Sequence, residues 1–180
     1  GDYLEEGYRP RRSYEFSERP PIENTLTSND SLADHLQWQL RMGTLDDKTK
    51  QIGEAIIGNI DNQGYLQASI DELCDMGPYS SDDVYAALSV IQSFDPVGVG
   101  SRDLKECLML QLRHLNLGDS PVETIVSEHL GLLQKHRFDE IARLMKLHRN
   151  EVIAQCEIIS SLDPQPGSKF TIGDSYYVTP

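Results

Sequence analysis

Residues 91–112 read IQSFDPVGVGSRDLKECLMLQL, and this stretch predicts a sharp change of chain direction. Asp95 and Pro96 must end the preceding helix, because proline pushes the residue before it out of the α region. Gly98 and Gly100 then allow tight turns or positive φ angles that other residues rarely adopt. The stretch therefore predicts a corner at which one helix stops and the chain reverses.

A new helix is predicted directly after the two glycines. Ser101 with Asp103 can cap its first turn, where the positive end of the helix dipole favours a carboxylate. Four leucines follow at the spacing of one helix face: Leu104, Leu108, Leu112 and Leu115. Residues 91–112 thus predict a rigid corner between two helices of a bundle.

Helical signals continue on both sides of this corner. Residues that can cap a helix repeatedly precede apolar residues at helical spacing. The predicted helices begin at or near Ser31, Thr44, Ser69, Ser80, Ser101, Ser120, Phe138 and Asn150. No stretch carries a strong strand pattern. The sequence predicts an all-α fold with two small helical bundle subdomains and a disordered N-terminal arm.

The predicted organisation has four parts. Residues 1–29 contain three prolines and no sustained hydrophobic period, which predicts a flexible acidic linker. Residues 30–117 form the first predicted subdomain, and residues 118–167 form a three-helix subdomain like a helix-turn-helix. Residues 168–180 are predicted as a further linker, within a chain that is itself part of a longer protein.

Two segments of the sequence resemble each other. Residues 84–96 (VYAALSVIQSFDP) and 152–164 (VIAQCEIISSLDP) align without gaps, 68 residues apart. Both are amphipathic and end in serine, a large apolar residue, aspartate and proline. A reused device for stopping a helix is the favoured interpretation, and a duplicated structural unit is the alternative.

Composition limits the classes of function. The 180-residue chain has a formal net charge of −13, and residues 1–30, 31–117 and 118–180 are each acidic. This charge argues against a nucleic-acid-binding surface spread over the whole chain. Three scattered cysteines, Cys74, Cys107 and Cys156, fit reduced thiols in a cytoplasmic protein. No apolar run approaches the roughly 20 residues that span a bilayer, so no membrane association is predicted.

No catalytic or metal site is predicted. Residues 59–64 (NIDNQG) resemble the start of an EF-hand loop, but the twelfth position, which should be a bidentate glutamate, is Ile70. A glycine-containing turn between helices is the better interpretation. The five histidines do not pair with cysteine or with one another at zinc-ligand spacing. Phosphate-loop, dinucleotide and nucleophile-elbow motifs are absent, so no cofactor is predicted.

Residues 138–162 raise the possibility of direct DNA binding as an alternative function. They predict a helix, a short turn and a helix, the order found in helix-turn-helix proteins. Arg149 and Asn150 would be the possible DNA contacts. Residues 137–163 hold four basic and five acidic residues, however. Base contacts need a surface that also binds phosphate, so a packing unit of this shape is favoured over a DNA reader.

The corner also resembles a known family. The central stretch of sigma-54 factors has Asp-Pro, a Gly-Val-Gly turn, Ala-Arg-Asp-Leu, Glu-Cys-Leu and Gln-Leu. The sequence meets that pattern at Asp95, Pro96, Gly98, Val99, Gly100, Arg102, Asp103, Leu104, Glu106, Cys107, Leu108, Gln111 and Leu112, with Ser101 in place of alanine. Residues 61–66 (DNQGYL) and 162–170 (LDPQPGSKF) resemble two further family segments, the second through Asp163, Pro164, Pro166 and Gly167.

The resemblance implies a domain that binds the RNA polymerase core, including the β subunit flap and β′, and that is no enzyme. It implies that the enhancer-binding ATPase activator and promoter DNA are contacted mainly by parts of the protein outside this chain, with the DNA-binding domain beyond Pro180. Arg102, Lys105 and Glu106 are the expected polymerase contacts. The apolar stripe of their helix is already used for packing, and arginine is enriched at interface hot spots.

Overall fold

The structure, a computed structural model, describes residues 31–43 and 45–170. Within them the chain is helical, and the only β pairing is two isolated bridges, Ile60 with Leu66 and Tyr65 with Ser101. The all-α prediction is confirmed, whereas the predicted arm at 1–29 lies outside the described residues. The helices are α1 (Leu32–Met42), α2 (Asp47–Ile57), α3 (Ile70–Cys74), α4 (Ser81–Gln92), α5 (Leu104–His114), α6 (Pro121–Gln134), α7 (Phe138–Met145) and α8 (Arg149–Ser160).

Serine caps define three of these helix starts. Ser31, Ser69 and Ser80 each accept a hydrogen bond from the backbone N–H three residues later, and the acidic residue there bonds back to the backbone N–H of its serine. These reciprocal bonds satisfy N–H groups that a helix leaves unpaired. The start of α2 differs from the prediction, because Asp46 caps it through Thr49 N at 2.8 Å. Thr44 lies outside the described residues.

Two apolar cores fill the molecule. The first is built from α1–α4 and the loops between them, and the second from α5–α8. They divide between Val99 and Leu104, so α5 contributes Leu108 and Leu112 to the second core. The predicted subdomain boundary near residue 117 therefore does not coincide with the division of the cores. An apolar stripe shows which face of a helix is buried, but not which neighbour buries it.

The two cores repeat one arrangement of four helices. In the first, α1 packs on α2, α2 on α3 and α4, and α3 on α4. In the second, α5 packs on α6, α6 on α7 and α8, and α7 on α8. Residues 70–96 align without a gap with 138–164, and residues 31–42 with 103–114. This packing supports a duplicated unit over the reused helix stop that the short sequence match favoured.

Candidate functional site

The corner between the two units, residues 95–103, is rigidly packed. The Asp95-Pro96 peptide bond is cis, and Gly98 and Gly100 have φ of +98° and +82°. A Cβ on Gly98 would lie 3.0 Å from the sulfur of Cys107. Glycine is therefore required at this position both by the backbone angle and by the approach of α5.

Ser101 has a different role from the predicted helix cap. It is fully buried, and its hydroxyl donates to the Gly98 carbonyl at 2.5 Å. Asp103 caps α5 instead, since its Oδ1 accepts from the backbone N–H of Glu106 at 2.9 Å. The Ser101 hydroxyl thus stabilises the turn that contains it. The N-cap of α5 is Asp103, two residues after Ser101.

Three sequence motifs meet at this corner. The loop at residues 61–66 lies against it, with Gly100 N–H donating to Gly64 O and Leu66 N–H to Ser101 O, both at 2.8 Å. The exit segment, residues 163–170, closes on the same loop. Gly167 N–H donates to Gln63 O at 2.9 Å, and a Cβ on Gly64 would lie 3.1 Å from a ring carbon of Pro166. The motifs are far apart in sequence and form one junction in the fold.

A buried glutamine holds the exit segment to α5. Gln111 is 8% exposed, and its side-chain amide pairs with the backbone of Asp163 in both directions. Its Oε1 accepts from Asp163 N–H at 2.8 Å and its Nε2 donates to Asp163 O at 2.6 Å. Cys107 lies beside this pair, and burial raises the pKa of its thiol. Burial also raises the pKa of Tyr65, whose hydroxyl donates to Pro164 O at 2.5 Å.

The first unit has an equivalent glutamine. Gln39 of α1 pairs with Asp95, accepting from its N–H at 2.9 Å and donating to its carbonyl at 2.7 Å. His35 Nε2 lies 3.1 Å from Asp95 Oδ2, and its ring centroid lies 5.5 Å from that of Phe170. The exit segment therefore returns to α1, and Phe170, within the predicted linker, packs on the first core.

The three residues predicted to contact a partner lie on the outer face of this junction. Arg102 forms a bidentate ion pair with Glu106, with nitrogen–oxygen distances of 3.0 and 2.8 Å, and its guanidinium carbon lies 5.8 Å from the ring centroid of Tyr85. Burial raises the pKa of Glu106, but the hydrogen bonds and charge of Arg102 outweigh it, so the pKa is lowered. Lys105 is exposed one turn away.

An open groove of about 480 Å³ runs along this face of α5. Its lining comprises Arg102, Asp103, Lys105, Glu106, Met109 and Arg113. Sequence reasoning did not include Met109 and Arg113. Their positions, four and eight residues after Lys105, are the signal that would have placed them on the same helix face.

The helix-turn-helix shape is present in the second unit, but DNA reading is not supported. Helices α7 and α8 are joined by three residues, of which Lys146 is left-handed at φ +60°. Arg149 pairs with Asp139, Nε to Oδ1 at 2.8 Å, and lies over the ring of Phe138. Residues 137–163 hold four basic and five acidic residues, so Arg149 and the exposed Asn150 are not surrounded by a surface that binds phosphate.

The loop that resembled an EF-hand uses its aspartate for the backbone. Asp61 Oδ1 accepts from Gln63 N–H at 2.9 Å and from Tyr65 N–H at 3.0 Å, and Oδ2 accepts from the Gln67 side chain at 2.7 Å. Gly64 has φ +102°, so the turn prediction is confirmed. Across residues 31–43 and 45–170, no three His, Cys, Asp or Glu side chains are grouped to hold a metal ion.

Comparison with known proteins identifies the family. The family model described as "Sigma-54 factor, core binding domain" matches residues 21–180. The chain belongs to this family. RNA polymerase sigma-54 factor of Salmonella typhimurium strain LT2 is 35% identical over 95% of the chain and 37% of its own length. The factors of Escherichia coli K12 and Pseudomonas putida KT2440 are 31% and 35% identical, over 100% and 86% of the chain and 36% and 32% of their own lengths.

The sigma-54 domain thus spans about a third of the length of these relatives. The resemblance predicted from the corner, the loop at 61–66 and the exit segment is confirmed. The structure explains why those motifs occur together, because they are the parts that meet at the junction. No helix in the described part of the chain is long and apolar enough to cross a membrane.

Proposed function

We propose that this sigma-54 domain binds the RNA polymerase core and thereby attaches the other parts of the sigma factor to it. The observation that carries the proposal is the match to the core binding domain over residues 21–180. The relatives are named as RNA polymerase sigma-54 factors, which supports the same partner. The partner surface includes the flap of the β subunit and β′.

The proposed contacts are Arg102, Lys105 and Glu106 on the outer face of α5. Arg102 lies within the corner, and Lys105 and Glu106 are on α5, whose leucines pack in the second core, so the surface has a packed support. The Arg102 guanidinium is pre-positioned by Glu106, and its side chain is still 42% exposed. An arginine that is held in place but accessible loses little side-chain entropy on binding, which favours affinity.

Other features of the function follow from the same proposal. The domain acts in the cytoplasm as a binding module, without catalysis and without a cofactor. The enhancer-binding ATPase activator and promoter DNA are contacted mainly by parts of the sigma factor outside this chain. The acidity of the domain supports this division, since a net charge of −13 disfavours binding to phosphate.

A capture experiment tests the proposal. The chain is immobilised, purified RNA polymerase core is passed over it, and excess duplex DNA is added as a competitor. We expect the core to be retained and the duplex to have no effect. Retention of duplex DNA without the core would contradict the proposal.

Charge reversal tests the proposed contacts in the same assay. Arg102→Glu is expected to weaken capture by about 2 kcal/mol, the usual threshold of an interface hot spot. Arg41→Glu is the matched control, because Arg41 is an exposed arginine on α1, the equivalent helix of the first unit. Circular dichroism of both variants separates loss of binding from loss of folding. Equal capture by the two variants would remove Arg102 from the proposed surface.

A further inference from the structure

The groove on α5 concentrates positive charge in an acidic molecule. Residues 31–117 contain six Lys and Arg residues, and three of them, Arg102, Lys105 and Arg113, line this one groove. They fall within twelve positions of the chain and follow the helical spacing that places residues on one face. The remainder of residues 31–117 is correspondingly depleted of basic residues.

The carboxylates of the groove do not cancel this charge equally. Glu106 accepts from both the backbone and the guanidinium of Arg102, and Asp103 accepts from the first turn of α5. Lys105 and Arg113 have no ion-pair partner among the residues that the structure describes. Among the described residues, the groove therefore holds two cations that form no ion pair, one above the other along the helix.

Met109 lies between these two cations. It is half-buried against the second core and also lines the groove. A methionine side chain is flexible and polarisable, and it adapts to apolar groups of varied shape. The groove thus offers an apolar contact flanked by two positive charges.

We infer that this groove receives an acidic segment of a polymerase subunit that carries one apolar side chain between its carboxylates. The inference rests on the proposed function and names the chemistry of the partner element. Two carboxylates would pair with Lys105 and Arg113, and the apolar side chain would pack on Met109.

The charge of the rest of the domain gives this pairing its selectivity. An acidic segment is repelled by a chain whose net charge is −13 and attracted at the groove. Its position on the domain is thereby fixed, since complementary charge determines register and suppresses other placements. A nucleic acid fits less well, because its evenly spaced phosphates need a continuous basic surface and not two cations beside carboxylates.

Zero-length cross-linking tests the inference directly. A carbodiimide joins a lysine amine to a carboxylate only where the two are in contact, so the complex of the chain with nuclease-treated polymerase core is treated and its cross-linked peptides are sequenced. We expect Lys105 to be joined to an Asp or Glu of a polymerase segment that is acidic and contains an apolar residue. Lys105→Arg keeps the charge and should abolish that cross-link without loss of binding.

Charge reversal gives a second readout. We expect Lys105→Glu with Arg113→Glu to weaken core binding about tenfold or more, with the loss reduced at high salt. Arg41→Glu with Lys135→Glu has the same change in charge at exposed positions outside the groove and should bind as the unmodified chain does. Binding that is unaffected by the groove variant overturns the inference, as does a complex in which Lys105 forms no cross-link to a carboxylate. Failure of the unmodified chain to bind the core overturns the proposed function itself.

Discussion

The two Asp-Pro corners of this domain are built alike but differ in their surroundings. Each ends a four-helix unit, and each is held by a glutamine from the first helix of that unit, Gln39 for Asp95 and Gln111 for Asp163. The first pairing lies partly in solvent. The second is part-buried, because Gln111 is buried beside Gly98 of the other corner although Asp163 itself is exposed. The same local device thus closes a single unit in one place and joins the two units in the other.

The largest effect should come from filling the space beside the second corner. A Cβ on Gly167 would lie 2.6 Å from the Asn62 carbonyl oxygen, a backbone atom that cannot move aside easily. We expect Gly167→Ala to lower the free energy of unfolding by about 2–3 kcal/mol, as overpacking does. The control is Gly131→Ala, where no atom lies within 4 Å and a gain of up to about 1 kcal/mol is expected. Urea unfolding of both variants measures these free energies. An unchanged stability of Gly167→Ala would show that the exit segment is not tightly packed.

Removal of each glutamine compares the two corners directly. Gln111→Leu leaves the N–H and carbonyl of Asp163 without their side-chain partners in a part-buried place, so we expect a loss of about 2 kcal/mol. Gln39→Leu should lower the free energy of unfolding by about 1 kcal/mol, because water can replace part of the hydrogen bonding that the amide gives to Asp95. Equal losses in urea unfolding would mean that burial does not distinguish the corners.

An acid titration examines the ion pair on the outer face of the second unit. The pKa of Glu106 lies below its ordinary value of 4.5, so ionised Glu106 stabilises the folded state above that value. The stabilisation is lost as pH falls through the lowered pKa. We expect Glu106→Gln to be less stable by under about 1 kcal/mol at neutral pH, since Arg102 is partly exposed. The two proteins should converge in acid, and a difference independent of pH would exclude the ion pair as its cause.

The smallest effect is expected at Arg149. Arg149→Glu removes the pair with Asp139, but it also places a carboxylate in the first turn of α8, where the helix dipole favours it. We expect a change in unfolding free energy below about 0.5 kcal/mol. Gel shift with duplex DNA should be negative for both the parent and the variant. Binding by the parent that the variant loses would restore the DNA-reading alternative for the second unit.

The sequence predicted those features that depend on neighbouring residues. Serine caps, apolar stripes and glycine turns follow from local rules, and Gly98 and Gly100 have the angles that the corner requires. The pairing of Gln111 with Asp163 could not be predicted in this way, because it joins residues 52 positions apart. The place where the two cores divide could not be predicted for a related reason. A leucine stripe on α5 fits either neighbour equally well until the tertiary packing is known.

One missed signal was available in the sequence. Residues 31–42 and 103–114 both have Leu at the second and sixth positions, an acidic residue at the fourth, and Gln-Leu-Arg at the ninth to eleventh. Taken with the match between 84–96 and 152–164, this likeness would have predicted the repeated unit. The same alignment shows where the two units differ. At the positions where α5 has Lys105 and Met109 in the groove, α1 has Ala33 and Gln37.

The return of the exit segment to α1 determines how the domain would carry a mechanical load. The ring of Phe170 contacts that of His35 in a tilted arrangement, and a Cβ on Gly167 would lie 2.8 Å from Leu32, so both ends of the described chain are side by side. Tension between residues 31 and 170 would therefore pull on this contact before it strained either core. The hydrogen bonds of the exit segment would break one after another, and both four-helix units would stay folded while the molecule lengthened.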